Sequence, residues 1–189
     1  GIVGYFEDGI ITKAINNGGD IMATGARNGK DIVKEFVRYS SNVGGNESFI
    51  VGNIGGIVGY MYGDSAYINT SANRGTVHTE DIVDESKILD TSKAANVGGI
   101  VGKIDREGTK TISEIKNDNS SAAINSSYNT GNVRGYTGIG GVAGMMYNGE
   151  IVNSYNIGEI RSTRISGATI EPLNMGGIVG DSTEETSAK

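Results

Sequence analysis

Asn53-Ile54-Gly55-Gly56-Ile57-Val58-Gly59 and Ile68-Asn69-Thr70-Ser71-Ala72-Asn73-Arg74-Gly75-Thr76-Val77 are the two halves of the stretch that decides the fold, because both recur in the same order. The first half returns as Gly1-Ile2-Val3-Gly4, Asn96-Val97-Gly98-Gly99-Ile100-Val101-Gly102, Gly138-Ile139-Gly140-Gly141-Val142-Ala143-Gly144 and Asn174-Met175-Gly176-Gly177-Ile178-Val179-Gly180. The second returns as Ile124-Asn125-Ser126-Ser127-Tyr128-Asn129-Thr130-Gly131-Asn132-Val133 and Ile151-Val152-Asn153-Ser154-Tyr155-Asn156-Ile157-Gly158-Glu159-Ile160. A weaker copy runs from Ile11 through Asn16 to Gly18. With Gly1, Gly56, Gly99, Gly141 and Gly177 taken as equivalent, the spacings are 55, 43, 42 and 36 residues. That range marks stacked-repeat architectures, and the inequality implies inserted loops.

Within a unit, short β-branched runs are separated by turn residues. Val142 to Tyr147, Glu150 to Tyr155 and the run from Glu159 onward are divided by Asn148-Gly149 and Asn156-Ile157-Gly158, which reads as strand, turn, strand, turn, strand. Alternate residues of a strand point to opposite faces. Ile2, Ile57, Ile100, Val142 and Ile178 are always β-branched and are expected to stack inward. Tyr5, Tyr60, Lys103, Met145 and Asp181 tolerate charge and are expected to face solvent or a loop. The expectation is all-β: a β-solenoid of stacked repeats in one domain over 1–189, with units starting near 1, 53, 96, 138 and 174.

Three stretches break the pattern. Asn28 to Asn53 and His78 to Ala95 share Asp-Ile-Val at Asp31 and Asp81, and the pairs Ile32/Val33 and Phe36/Val37 would suit one or two short helical turns. Lys103 to Ala122 is polar and rich in Asp, Asn and Ser, which fits an exposed hairpin or loop.

Composition narrows the function. Of 189 residues 31 are Gly and 37% are hydrophobic, so the core must be thin and built from small side chains. A net charge of −6 with no face-sized Lys/Arg cluster lacks the electrostatic footprint of a nucleic-acid or anionic-lipid binder. The absence of Cys removes disulfides, thiolate metal sites and cysteine nucleophiles. No run approaches the roughly 20 apolar residues that span a bilayer, and no stretch reads as a basic, apolar, small-residue leader; targeting signals would lie outside this sequence. The chain opens and closes on partial copies of the motif, as a piece of a longer protein would.

The motifs favour stacking over chemistry. The glycine offsets do not match a dinucleotide-binding fingerprint, and repetition in strand context favours corners with positive φ and close backbone approach. Asn16, Asn73, Asn129 and Asn156, two residues before Gly18, Gly75, Gly131 and Gly158, are expected to form an asparagine ladder at a corner; the alternative is a cation site of amide oxygens. His78 is the only histidine, reads as a loop residue, and is a poor partner for a serine nucleophile or for zinc. Carboxylates cluster at Glu80-Asp81, Asp84-Glu85 and Glu184-Glu185 without recurring in the repeat, unlike a glycosidase pair. Tyr5, Tyr60, Tyr62, Tyr128, Tyr147 and Tyr155 lie on repeat strands, as staples between repeats or as a binding surface. No catalytic, cofactor-binding or metal-ligating residue is assigned on this chain.

At Gly-Gly-Ile-Val-Gly and Asn-Ser-Tyr-Asn-x-Gly the chain resembles the GLUG repeat of bacterial surface and secreted proteins, over nearly its whole length apart from the inserts. Such repeats occur in zinc metallopeptidases that cleave immunoglobulin A in Gram-positive mucosal bacteria, and in adhesin-like proteins. The resemblance implies a secreted or wall-attached, non-catalytic repeat scaffold that positions or recognises antibody. Zinc would belong to a separate catalytic domain of the parent, and none of its ligands maps onto this chain. The partners implied are a host protein, immunoglobulin A foremost, and flanking domains of the same chain, with no nucleic acid and no membrane insertion. An adhesion module without a protease is the rival class.

Overall fold

The computed structural model describes residues 1–23, 52–79, 96–106, 122–135, 138–162 and 174–183. The inserts where helical turns were expected lie almost wholly outside these residues. Every described element is a strand. In chain order they are β1 (Val3–Thr12), β2 (Ile15–Asn16), β3 (Ile21–Ala23), β4 (Ile54–Gly55), β5 (Val58–Asn69), β6 (Ala72–Asn73), β7 (Val77–Thr79), β8 (Val97–Gly98), β9 (Val101–Asp105) and β10 (Ala122–Asn125). They continue as β11 (Tyr128–Asn129), β12 (Val133–Gly135), β13 (Ile139–Gly140), β14 (Ala143–Tyr147), β15 (Glu150–Val152), β16 (Tyr155–Asn156), β17 (Ile160–Ser162), β18 (Met175–Gly176) and β19 (Val179–Thr183).

These form four curled, wholly parallel sheets, which the chain visits in the same order on each circuit. A seven-stranded sheet holds β1, β5, β9, β10, β14, β15 and β19; the others hold β2-β6-β11-β16, β3-β7-β12-β17 and β4-β8-β13-β18. Equivalent motif residues pair: Val3 with Val58, Val58 with Val101, Val101 with Ala143 and Ala143 with Val179. The registers thus place each repeat copy directly on its neighbour.

The expected inward column is present, with one change of place. Ile57, Ile100, Val142 and Ile178 stand at the bend before a strand of the large sheet, not inside it. The Ile57, Ile100 and Val142 N–H groups donate to the Ile100, Val142 and Ile178 carbonyls at 2.9 Å each. A bend suits them because β-branched side chains there fill the corner between two sheets. Ile57, Ile100 and Val142 are fully buried, whereas Ile2 (52% exposed) and Ile178 (38%) lie in the end circuits with one neighbour each.

The interior is two apolar columns. One lies under the large sheet, with Ile57, Met61, Ile68, Ile100, Ile104 and Ile124; the other, with Val77, Val97, Val133 and Ile139, lies under the third and fourth sheets. Between them the glycine corner meets the asparagines. A Cβ on Gly56, Gly99 or Gly141 would fall 2.3, 2.4 or 2.5 Å from Cγ of Asn73, Asn129 or Asn156. Of the two reasons expected for glycine, close approach holds at these three positions and positive φ does not, since none of them adopts it.

Left-handed residues occur elsewhere. Glu150 to Tyr155, expected as one strand, breaks at Asn153 (φ 50°), and Lys13 (φ 55°), Thr70 (φ 52°) and Ser126 (φ 49°) hold the same corner in the other circuits. Asn148-Gly149 (φ 57° and 106°) does not reverse the chain: β14 and β15 lie in one sheet on β9 and β10, so the pair acts as a bulge. Thr70 is exposed and β-branched, a poor choice for left-handed φ. Thr70→Asn, which copies Asn153, is expected to stabilise by about 0.5–1 kcal/mol; a denaturant midpoint that fails to rise refutes that reading.

Candidate functional site

Two hydrogen-bonded ladders hold the second sheet and its corner. Asn16 Nδ2 donates to Asn73 Oδ1, Asn73 to Asn129 and Asn129 to Asn156, each at 2.7 Å. The Asn73, Asn129 and Asn156 amides also close their own corners on the Gly75, Gly131 and Gly158 carbonyls at 2.8, 2.7 and 2.9 Å. The expected asparagine ladder is therefore present. In the first circuit Gly19, not Gly18, joins the glycine column, since a Cβ on Gly75 would fall 2.0 Å from the Gly19 carbonyl; Gly18 is an extra residue. A serine ladder accompanies it. The Ala14, Ser71 and Ser127 N–H groups donate to Oγ of Ser71, Ser127 and Ser154 at 3.2, 3.1 and 3.1 Å. Each hydroxyl donates in turn to a carbonyl two residues earlier. Sequence reading missed this ladder, although Ser71, Ser127 and Ser154 hold one fixed place in their copies.

The outward face of the large sheet carries the richest side-chain chemistry. Period-2 alternation places Tyr5, Tyr60, Lys103, Met145 and Asp181 in one row and Glu7, Tyr62, Asp105, Tyr147 and Thr183 in another. All but Glu7 are half-buried, except Thr183, whose side chain is not described. Tyr5 and Tyr60 meet at 5.5 Å between centroids with planes 59° apart, and Tyr60 meets Tyr62 at 6.3 Å and 52°. Lys103 Nζ lies 5.3 Å from the Tyr60 ring centre and 2.8 Å from Asp105 Oδ2, which also accepts from the Tyr60 hydroxyl at 2.8 Å. Tyr5 donates its hydroxyl to Glu7 at 3.1 Å.

Lys103, Ile104 and Asp105 were expected in a hairpin or loop, but they complete β9, with Ile104 fully buried on the Met61 and Met146 positions. An apolar residue at that register could have revealed it. Arg106, expected in the same loop, is only 7% exposed and donates to the Asp64 carbonyl. Burial pulls its guanidinium below the ordinary value, and the Asp64 carboxylate acts in the opposite direction.

Other candidates fall apart in space. Tyr128 and Tyr155 leave the first tyrosine group for the second sheet, where they stack at 5.3 Å with planes 7° apart; Arg74 donates to the Tyr128 hydroxyl at 3.1 Å. His78, expected in a loop, lies on β7 between Met22 and Arg134, with Nε2 4.0 Å from Asp20. Its register there explains the strand. The acidic clusters at Glu80-Asp81, Asp84-Glu85 and Glu184-Glu185 lie outside the described residues. Among the described residues no three His, Asp or Glu side chains converge to hold a metal ion.

No family model, curated protein or solved structure matches this chain.

Proposed function

We propose that this chain is a β-solenoid of GLUG repeats serving as the non-catalytic scaffold of a Gram-positive extracellular protein, positioning or recognising antibody for an immunoglobulin A-cleaving zinc metalloprotease. The observation that carries the scaffold reading is register: Asn, Ser and Gly at fixed places in each copy meet their counterparts in the next, so repeat sequence is devoted to stacking. Recognition is expected through the inserts, which vary without disturbing a neighbouring circuit, with support from the tyrosines on the outward face of the large sheet, since aromatics are enriched in protein interfaces. The antibody and the protease come from the motif resemblance. An adhesion module with no attached peptidase is the second reading, and the same surface serves it.

The test uses a protease parent carrying this region. Lys103, Asp105 and Arg106 belong to the sheet or its packing, so the deletion is confined to 107–121. Cleavage of whole antibody is expected to fall about tenfold, equivalent to roughly 1.4 kcal/mol of transition-state binding, with a short hinge peptide cleaved as before. Equal losses on both substrates would reduce the region to a support for the catalytic domain, and no loss on either would make it a passive spacer.

A further inference from the structure

The first circuit contains one residue more than the others at the corner after the second sheet, and the extra residue makes an Asn17-Gly18 pair. Strand β2 ends at Asn16 and β3 begins at Ile21, whereas the paired positions Asn73 and Val77 lie one residue closer in sequence. Gly18 is the residue squeezed out, exposed, with φ of 110° and no atom within 4 Å of where a Cβ would stand. Its backbone N–H makes no hydrogen bond among the described residues, whereas Gly75 and Gly131 N–H are held by Asn73 and Asn129 Oδ1. Asn17 is exposed and accepts on Oδ1 from the Arg74 guanidinium at 3.0 Å.

From these placements we infer that Asn17 is a site of spontaneous covalent modification, in which its side-chain amide is converted through a cyclic imide to aspartate and isoaspartate. The Gly18 backbone nitrogen bonds to Asn17 Cγ, Nδ2 departs as ammonia with the proton that Gly18 releases, and water opens the ring at either carbonyl. No redox partner is needed. The three requirements meet here: a nucleophilic N–H not held in a hydrogen bond, no Cβ on the following residue to obstruct its approach, and an electrophilic carbonyl polarised by a cationic donor. The extra residue supplies slack, so the lengthened isoaspartyl backbone fits without shifting the ladders.

Asn148-Gly149 has the same two residues in a packed setting. Asn148 Nδ2 donates to the Arg106 carbonyl at 3.1 Å, and a Cβ on Gly149 would stand 3.0 Å from Arg106 Cδ and 3.4 Å from Ala123 Cβ. This pair is locked in the bulge. Conversion at Asn17 also has a local consequence, because it places a carboxylate on Arg74, whose other terminal nitrogen holds the Tyr128 hydroxyl on the outward face of the second sheet.

The experiment incubates the folded chain in mildly alkaline buffer and follows both peptides by mass spectrometry with an isoaspartate-specific methyl-transfer label. Asn17 is expected to convert faster than Asn148 by about tenfold or more, with the two rates converging in denaturant. Equal rates in the folded chain, or Asn148 reacting first, would overturn the assignment. Arg74→Ala, checked for retained folding by circular dichroism, is expected to slow Asn17 by about threefold, the worth of one exposed hydrogen bond; an unchanged rate would remove the guanidinium from the mechanism. Asn17→Gln should abolish the label at this position, and its persistence there would show that the label reports another residue.

Discussion

Gly102→Val is expected to lower the melting temperature by roughly 10 °C, from a loss of about 4 kcal/mol in a chain of this size, while Gly4→Val leaves it almost unmoved. Both glycines occupy the same place in the repeat. A Cβ on Gly102 would fall 2.4 Å from the Ile54 nitrogen and 2.5 Å from the Gly59 carbonyl oxygen, and neither backbone atom can rotate away. At Gly4, in the first circuit, nothing lies within 4 Å of that position. Neither residue has positive φ, so the contrast isolates packing from backbone conformation. Thermal melting followed by far-ultraviolet circular dichroism checks both. Equal shifts in the two variants would show that the glycines are kept for composition and not for close approach.

Asn129→Asp is expected to cost about 3 kcal/mol at neutral pH, with a pH dependence that acid makes milder. Asn129 is fully buried; its Nδ2 donates to Asn156 Oδ1 and the Gly131 carbonyl, and its Oδ1 accepts from Asn73 Nδ2 and the Gly131 N–H. A carboxylate keeps the two acceptor bonds and turns the two donor bonds into oxygen facing oxygen. Those contacts and burial both disfavour the charged form, so the folded pKa of the introduced carboxyl must rise above its unfolded value of about 3.9. The unfolded state then releases its proton first. Destabilisation is full above the folded pKa and is relieved as pH falls from there toward the unfolded value, because the protonated acid can again donate one bond. Asn129→Ala should show a comparable loss with no such relief. Denaturant midpoints measured between neutral and acid pH distinguish them, and a parallel pH response in the two variants would refute the ladder as their common cause.

The stacking itself was legible in the sequence, because a parallel strand repeats its side-chain chemistry on the strand above. Asparagines at positions 16, 73, 129 and 156 need only in-register pairing to reach one another, so their spacing relative to the glycines already implied the ladder. The first-circuit offset did not show, because Gly18 and Gly19 are the same residue type, and only the fold, with Ile21 paired to Val77 and the Gly19 carbonyl set against Gly75, says which one is extra. The outward face was half legible. Alternation assigned Tyr5 and Tyr60 to it, but the polar content around Lys103 suggested a loop, and the strand there is held by one buried Ile104 and by pairing to β5 and β14.

The repeat, its copies and the asparagine column follow from the order of residues, since they depend on local turn preference and on identical residues meeting at one strand spacing of about 4.8 Å. Which glycines are irreplaceable, where the interior divides into two columns, and the burial of Arg106 beside Asp64 emerge only from the folded arrangement. Those facts concern what lies across the interior or on the neighbouring circuit. They depend on how the curled sheets pack on one another, a distance relation that no pattern within one copy contains.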